Sequence, residues 1–90
     1  MKLICQVYSS PRKPEMYLYV EKSRGYEDVP PALLAQFGEP EALMVLVITP
    51  EKKLARAKAV DVLAQIEELG FYLQMPPTSA ELLHREGNEL

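Results

Sequence analysis

Two short tyrosine-bearing segments limit what this chain can fold into more than any other part of its sequence. Residues 17–22 read YLYVEK, and residues 71–75 read FYLQM before a proline pair stops the segment. In both, tyrosines and polar side chains alternate with aliphatic side chains, which is the period-two pattern of a β-strand with two different faces. Because proline cannot donate to a sheet ladder, the second segment ends abruptly at Pro76. The pattern predicts two strands whose tyrosines share one side of a sheet.

The length, composition and cysteine count of the chain indicate one small domain without a membrane span or a disulfide. The chain has 90 residues, 48% of them apolar, and a formal net charge of −3. That acidic balance argues against a dedicated DNA-binding domain, whose affinity comes largely from neutralising phosphates. The single cysteine, Cys5, cannot form an intramolecular disulfide, and we find no signal-peptide pattern and no long apolar run. We therefore expect a soluble, cytoplasmic protein.

The N-terminal half predicts a hairpin followed by a short helix. Residues 2–8 and 16–21 alternate as strands, and the short proline-containing turn between them favours antiparallel pairing. In the second strand, the side chains expected to face the core are Met16, Leu18 and Val20. Prolines at positions 30 and 31 then open a helix of about two turns, which Gly38 ends.

The C-terminal half predicts a buried strand, an amphipathic helix, the second tyrosine strand and a last helix. Residues 42–48 read ALMVLVI, and a run without polar alternation is typical of a strand buried on both faces and central in its sheet. Residues 59–69 carry a one-sided apolar stripe that ends at Gly70, which predicts a helix. Thr78 and Glu81 fit a capping box, so we expect a further helix at about residues 79–86.

These elements predict an α+β fold, α/β sandwich-like in its layering, formed by residues 1–90 as one domain in the order β-β-α-β-α-β-α. The predicted sheet has about four strands, with residues 42–48 in its centre, and it is covered by the 59–69 helix and two shorter helices. The strand order stays open, and both a mixed and an antiparallel sheet fit the pattern.

Several of these motifs together resemble the YcgL family of small bacterial proteins. The resemblance rests on residues 17–22, the Val29-Pro30 pair, Leu33, the Phe37-Gly38 pair, Pro40, residues 52–54 and residues 70–77. It preserves the spacing between them along nearly the whole chain. It implies a single α/β-type domain that has no generally accepted biochemical activity and no catalytic residue set to carry over. Genes of the family sometimes lie near that of ribonuclease D, which implies a link to RNA metabolism. Phe71 departs from the family, which often has a tyrosine at that position.

The tyrosine faces of the two strands are the main candidate for a binding surface. Aromatic rings stack on flat ligands, and a carboxamide supplies both a hydrogen-bond donor and an acceptor. The candidate ligand-binding residues are Tyr17, Tyr19, Lys22, Tyr72 and Gln74. The alternative is that the rings pack under helices and only their hydroxyls reach solvent. Both interpretations stay open at the level of sequence.

Two segments of the chain are basic although the net charge of the whole chain is negative. Residues 1–26 carry five basic side chains against two acidic ones, and residues 49–60 carry four against one, so each has a net charge of +3. If the two segments meet in space, they form a basic face that steers phosphates; otherwise they are an ordinary solvated surface. The candidate basic patch comprises Arg24, Lys52, Lys53 and Arg56.

Nothing in the sequence points to catalysis, a metal or a cofactor. His84 is the only histidine and is remote in sequence from Cys5, whereas a typical zinc site needs about four such ligands. The glycines are isolated, so no phosphate-binding loop is predicted. We predict a non-enzymatic binding or regulatory protein that acts through the tyrosine face and whose partner is unknown. The alternatives are a protein that binds single-stranded RNA and, less favoured, a hydrolase or nuclease using Glu21, Lys22 and tyrosine.

Overall fold

The described part of the chain folds into one antiparallel sheet with two helices. The structure, a computed structural model, describes residues 2–54 and 57–75. Its elements are β1 (Leu3–Ser9), β2 (Tyr17–Glu21), α1 (Pro31–Phe37), β3 (Glu41–Ile48), α2 (Ala59–Leu69) and β4 (Phe71–Gln74). The four strands lie in the order β3-β1-β2-β4, and every neighbouring pair is antiparallel. The predicted α+β class is confirmed, while the predicted helix at 79–86 lies outside the described residues.

The two helices belong to two separate apolar clusters, one for each face of the sheet. The α2 cluster contains Cys5, Val7, Tyr19, Ile48, Ala59, Val62, Leu63 and Ile66. The α1 cluster contains Met16, Leu18, Val20, Val29 and Phe37. Because successive side chains of a strand point to opposite faces, β2 contributes Tyr19 to one cluster and Leu18 and Val20 to the other. The result is a three-layer sandwich in which β2 supplies buried side chains to both apolar clusters.

The helix ends follow from the residues that the sequence places there. Pro31 occupies the first turn of α1, where its missing N–H costs nothing. Gly70 ends α2 with φ at 91°, in the left-handed region, and its N–H donates to the Ile66 carbonyl at 2.8 Å. That reversal leads directly into β4, which therefore lies beside β2 and in contact with α2.

The prediction that residues 42–48 form the central strand is wrong. β3 pairs with β1 and with no other described strand, so it lies at the edge of the sheet. Four of its apolar side chains are 45–48% exposed, namely Leu43, Met44, Val45 and Val47. The inner positions go to β1 and β2 because these strands form a hairpin, and β3 and β4 then add to its two free edges.

Candidate functional site

A cavity opens on the α2 side of the sheet, between the tyrosine face and the edge strand. Its volume is about 190 Å³. It is lined by Val7, Tyr17, Tyr19, Leu43, Met44, Leu46 and Gln74. Three of the five candidate ligand-binding residues, Tyr17, Tyr19 and Gln74, therefore share one cavity. The wall is mostly apolar, and the carboxamide and the two phenols supply its polar groups.

The polar wall of the cavity is held by pairing between β2 and β4. Tyr17 lies opposite Gln74 and Tyr19 lies opposite Tyr72 in the strand register. The Tyr19 hydroxyl donates to Gln74 Oε1 at 3.3 Å. The rings of Tyr19 and Tyr72 meet edge to face, with centroids 5.7 Å apart, which is a favourable aromatic geometry. These contacts place the Gln74 carboxamide at a defined position in the cavity wall.

The tyrosine face is packed against α2 rather than open to solvent. Tyr19 is only 7% exposed and belongs to the α2 cluster, while Tyr17 and Tyr72 are half-buried against it. Gln74 is 8% exposed. Of the tyrosines on this face, Tyr19 is therefore buried, and Tyr17 and Tyr72 are partly accessible. What remains accessible is the cavity beside Tyr17.

The opposite wall comes from the edge strand and depends on an irregularity in its pairing with β1. Val7 lies opposite Met44, whereas the next residue, Tyr8, lies opposite Ala42, so Leu43 is an extra residue on β3. Such a bulge re-aims side chains, and Leu43 and Met44 both line the cavity. The Gln6 carboxamide donates to the Met44 carbonyl at 2.9 Å and supports the irregular segment.

Sequence reasoning missed the residues of that wall. The apolar run that contains Leu43, Met44 and Leu46 predicts a strand buried on both faces, and nothing in the alternation of residues 2–8 marks Val7 as part of a site. No local signal in the run 42–48 marks the bulge, because the extra residue is defined only by the partner strand.

Lys22, the fifth candidate, lies at the other end of β2. Its N–H donates to the Ile4 carbonyl at 2.8 Å, and Cys5 is opposite Glu21, which places Lys22 beside the beginning of β1. There it lines a second, more open cavity of about 490 Å³. That cavity is lined by Lys2, Leu3, Ile4, Glu21, Lys22 and Ser23. The structure therefore separates Lys22 from Tyr17 and Gln74 by the length of the strand.

Members of both basic segments lie at the end of the sheet where β1 begins. Leu3 is opposite Ile48, so β3 ends beside Lys2, and a turn closed by the Lys52 N–H on the Thr49 carbonyl follows at once. Arg24 is engaged with Asp28, with Nη2 and Oδ2 2.8 Å apart. Lys53 is exposed, and Arg56 lies outside the described residues. Lys2 belongs to this group although no sequence motif singles it out.

Cys5 is buried in the α2 cluster and has no solvent exposure. Burial, and to a lesser degree the neighbouring negative charge of Glu21, raise the pKa of the Cys5 thiol to about 11. A thiol that stays protonated at neutral pH is a poor nucleophile, so Cys5 acts here as a small apolar side chain.

Two further findings concern only the part of the chain that the structure describes. Neither helix there is long and apolar enough to cross a membrane. No group of three or more His, Cys, Asp or Glu side chains lies together among residues 2–54 and 57–75 in a way that could hold a metal ion.

Comparison with known proteins places the chain in a family. The family model of the YcgL domain matches residues 5–77. A YcgL domain-containing protein of Chromohalobacter salexigens is 55% identical over 80 residues, which cover 89% of this chain and 83% of that protein. Similar proteins of Pseudomonas aeruginosa and Pseudomonas putida are 51% and 52% identical over 90 residues, covering 100% of this chain and 93% of each relative. The chain belongs to the YcgL domain family.

Proposed function

We propose that this protein is a non-enzymatic, cytoplasmic binding protein that accepts one bulky apolar side chain of a partner polypeptide in the cavity beside Tyr17. The observation that carries the proposal is the convergence of Tyr17, Tyr19 and Gln74 with three apolar residues of β3 around one small cavity. A buried network that fixes a carboxamide at the wall of an apolar cavity is suited to recognition.

The size of the cavity favours a side chain over a free small molecule. Sites for drug-sized ligands have volumes of roughly 300–1,000 Å³, whereas this cavity has about 190 Å³. Its rim continues onto Leu43 and Met44, which are 48% and 45% exposed. An anchor residue in a small pocket, surrounded by a flatter apolar rim, is the usual arrangement of a protein–protein hot spot.

The polar groups of the cavity wall favour one orientation of a bound partner. The Gln74 carboxamide accepts a hydrogen bond from Tyr19 on its oxygen, and it also carries two N–H donors. A donor beside an apolar cavity favours a ligand with a carbonyl close to its apolar group. Every residue of a polypeptide has that pairing of side chain and backbone carbonyl.

The arrangement gives less support to single-stranded RNA and to hydrolysis. Base stacking needs accessible ring faces near cations, but Tyr19 is buried against the α2 cluster and Lys22 lies at the far end of β2. Glu21 and Lys22 are likewise remote from the cavity that Tyr17 lines. Of the three candidate functions, binding of a partner protein therefore requires the least movement of these side chains.

The test is an NMR titration of the full chain, labelled at its methyl groups, with blocked pentapeptides of sequence Gly-Gly-Xaa-Gly-Gly. With Phe or Leu as Xaa at about millimolar concentration, the methyl signals of Val7, Met44 and Leu46 should shift. With Ala as Xaa they should not, and Val60, half exposed on α2, should stay unchanged with all three. If the Phe and Ala peptides give the same response, the proposal is wrong.

A further inference from the structure

The outer edge of β3 pairs with no other strand among residues 2–54 and 57–75. Proteins normally protect such edges with charged residues, proline or short strands, yet β3 is eight residues long and residues 42–48 contain no charge, glycine or proline. Its backbone N–H and C=O groups on this side are therefore available for another strand.

Exposed apolar side chains accompany that edge on the face opposite to the cavity. Val45 and Val47 lie next to Gln6 and Ile4 of β1 in the register, on the side of the sheet that carries α1. Ile4, Val45 and Val47 are 45–50% exposed. Since α1 packs over β2 and β4 residues, it leaves this part of the sheet uncovered. A strand added to β3 would pack its own apolar side chains against these three.

The two ends of β3 carry opposite charges. Glu39 and Glu41 stand at its beginning, and both are exposed. Lys52 and Lys53 follow its end, where Lys2 is also located. The separation is partial, because Glu51 lies among the lysines and the Arg12 side chain lies close to Gly38 on the acidic side.

We propose that the partner of this edge is a second copy of the same chain, paired with β3 in an antiparallel orientation. A two-fold antiparallel contact is self-complementary, and it brings the acidic beginning of each β3 to the basic end of the other, twice. A parallel pairing would instead bring like charges together. The contact would join two four-stranded sheets into one continuous sheet. This inference is independent of the proposed side-chain binding.

Charge reversal distinguishes this geometry from any other association. Glu41→Lys alone sets lysine against lysine at both ends of the dimer, and Lys52→Glu alone sets glutamate against glutamate. A mixture of the two variants restores an attractive pair at both ends. Sedimentation of the full chains from about 10 μM to about 1 mM, at low salt, should show the wild type dimerising and each single variant about tenfold weaker. The mixture should form heterodimers with wild-type affinity.

A second pair of variants addresses the edge itself. Val45→Lys with Val47→Lys should abolish the dimer, because charged edge residues oppose strand addition. Val60→Lys, an exposed valine on α2, should leave it intact. A chain that stays monomeric throughout the concentration range overturns the proposal, as does a dimer that the two-lysine variant leaves unchanged. If the mixture of Glu41→Lys and Lys52→Glu does not form heterodimers, the antiparallel orientation is wrong.

Discussion

The Tyr19 hydroxyl donates a hydrogen bond to Gln74 Oε1 at 3.3 Å, and the two residues are 7% and 8% exposed. The bond joins β2 to β4, the outer strand that follows α2. It also fixes the carboxamide that forms part of the cavity wall. A single side-chain contact thus connects the packing of the sheet to the shape of the candidate site.

Loss of the Tyr19 hydroxyl should destabilise the fold. In Tyr19→Phe, Gln74 Oε1 loses this donor in a nearly buried position, and an unsatisfied buried acceptor costs about 1–3 kcal/mol. We expect urea unfolding to show a loss in that range. The control is Tyr26→Phe, because Tyr26 is 38% exposed and its change should stay within about 0.5 kcal/mol. Equal stabilities of the two variants would show that the Tyr19 bond contributes nothing.

The glycine that ends α2 should not tolerate a side chain. Gly70 has φ at 91°, and a Cβ there would lie 2.6 Å from Asp28 Cβ. Gly25 has φ at 66°, but a Cβ added to it would meet no atom within 4 Å. Gly25→Ala should therefore lower the free energy of unfolding by about 1–2 kcal/mol, because a residue with a Cβ is strained in the left-handed conformation. Gly70→Ala should lower it by at least about 1 kcal/mol more, because of the contact with Asp28.

Chemical denaturation of both alanine variants provides that comparison. The larger loss at Gly70 would come from the contact with Asp28, whose carboxylate also pairs with Arg24. Equal losses at the two positions would mean that Asp28 moves aside freely.

Stability should fall in alkaline solution because of Cys5. The pKa of its thiol is raised from 9.0 to about 11 in the fold, so the unfolded chain releases its proton first as the pH rises. The folded state then binds more protons than the unfolded state, and its stability decreases between pH 9 and pH 11 by about 2 kcal/mol. Well below pH 9 this contribution is fully present.

The measurement is the free energy of unfolding at several pH values for the wild type and for Cys5→Ala. The alanine variant is less stable at all pH values because it loses packing, but it has no thiol whose ionisation depends on folding. The difference between the two free energies of unfolding should therefore narrow as the pH approaches 11. A gap that stays constant would mean that Cys5 ionises equally easily in the folded chain.

Local patterns of the sequence were sufficient to predict α1, α2 and the inner core. Val62, Leu63 and Ile66 recur at helical spacing, and they form the buried side of α2. Leu18 and Val20 alternate with tyrosines, and both are fully buried as predicted. These features depend on neighbours along the chain, which is why a single sequence contains them.

The position of β3 and the cavity could not be predicted in the same way. The apolar run 42–48 indicates a strand but not which strands lie beside it, and hairpin formation by β1 and β2 leaves it at the edge. Likewise, Leu43 and Met44 reach the cavity because of a register shift next to Val7. No residue of β3 indicates that shift in the sequence. Both features are set by pairing between distant segments.

Filling the cavity and measuring peptide affinity would decide whether it is a binding site. Met44→Trp adds a large ring at the rim from a side chain that is 45% exposed, so the fold should persist; Val60→Trp, at 50% exposure on α2, is the matched control. We predict that the blocked Phe pentapeptide binds Met44→Trp at least about tenfold more weakly than it binds the wild type, a difference of about 1.4 kcal/mol. Val60→Trp should bind like the wild type. Unchanged affinity in Met44→Trp, with both variants folded, would contradict a binding site at this cavity.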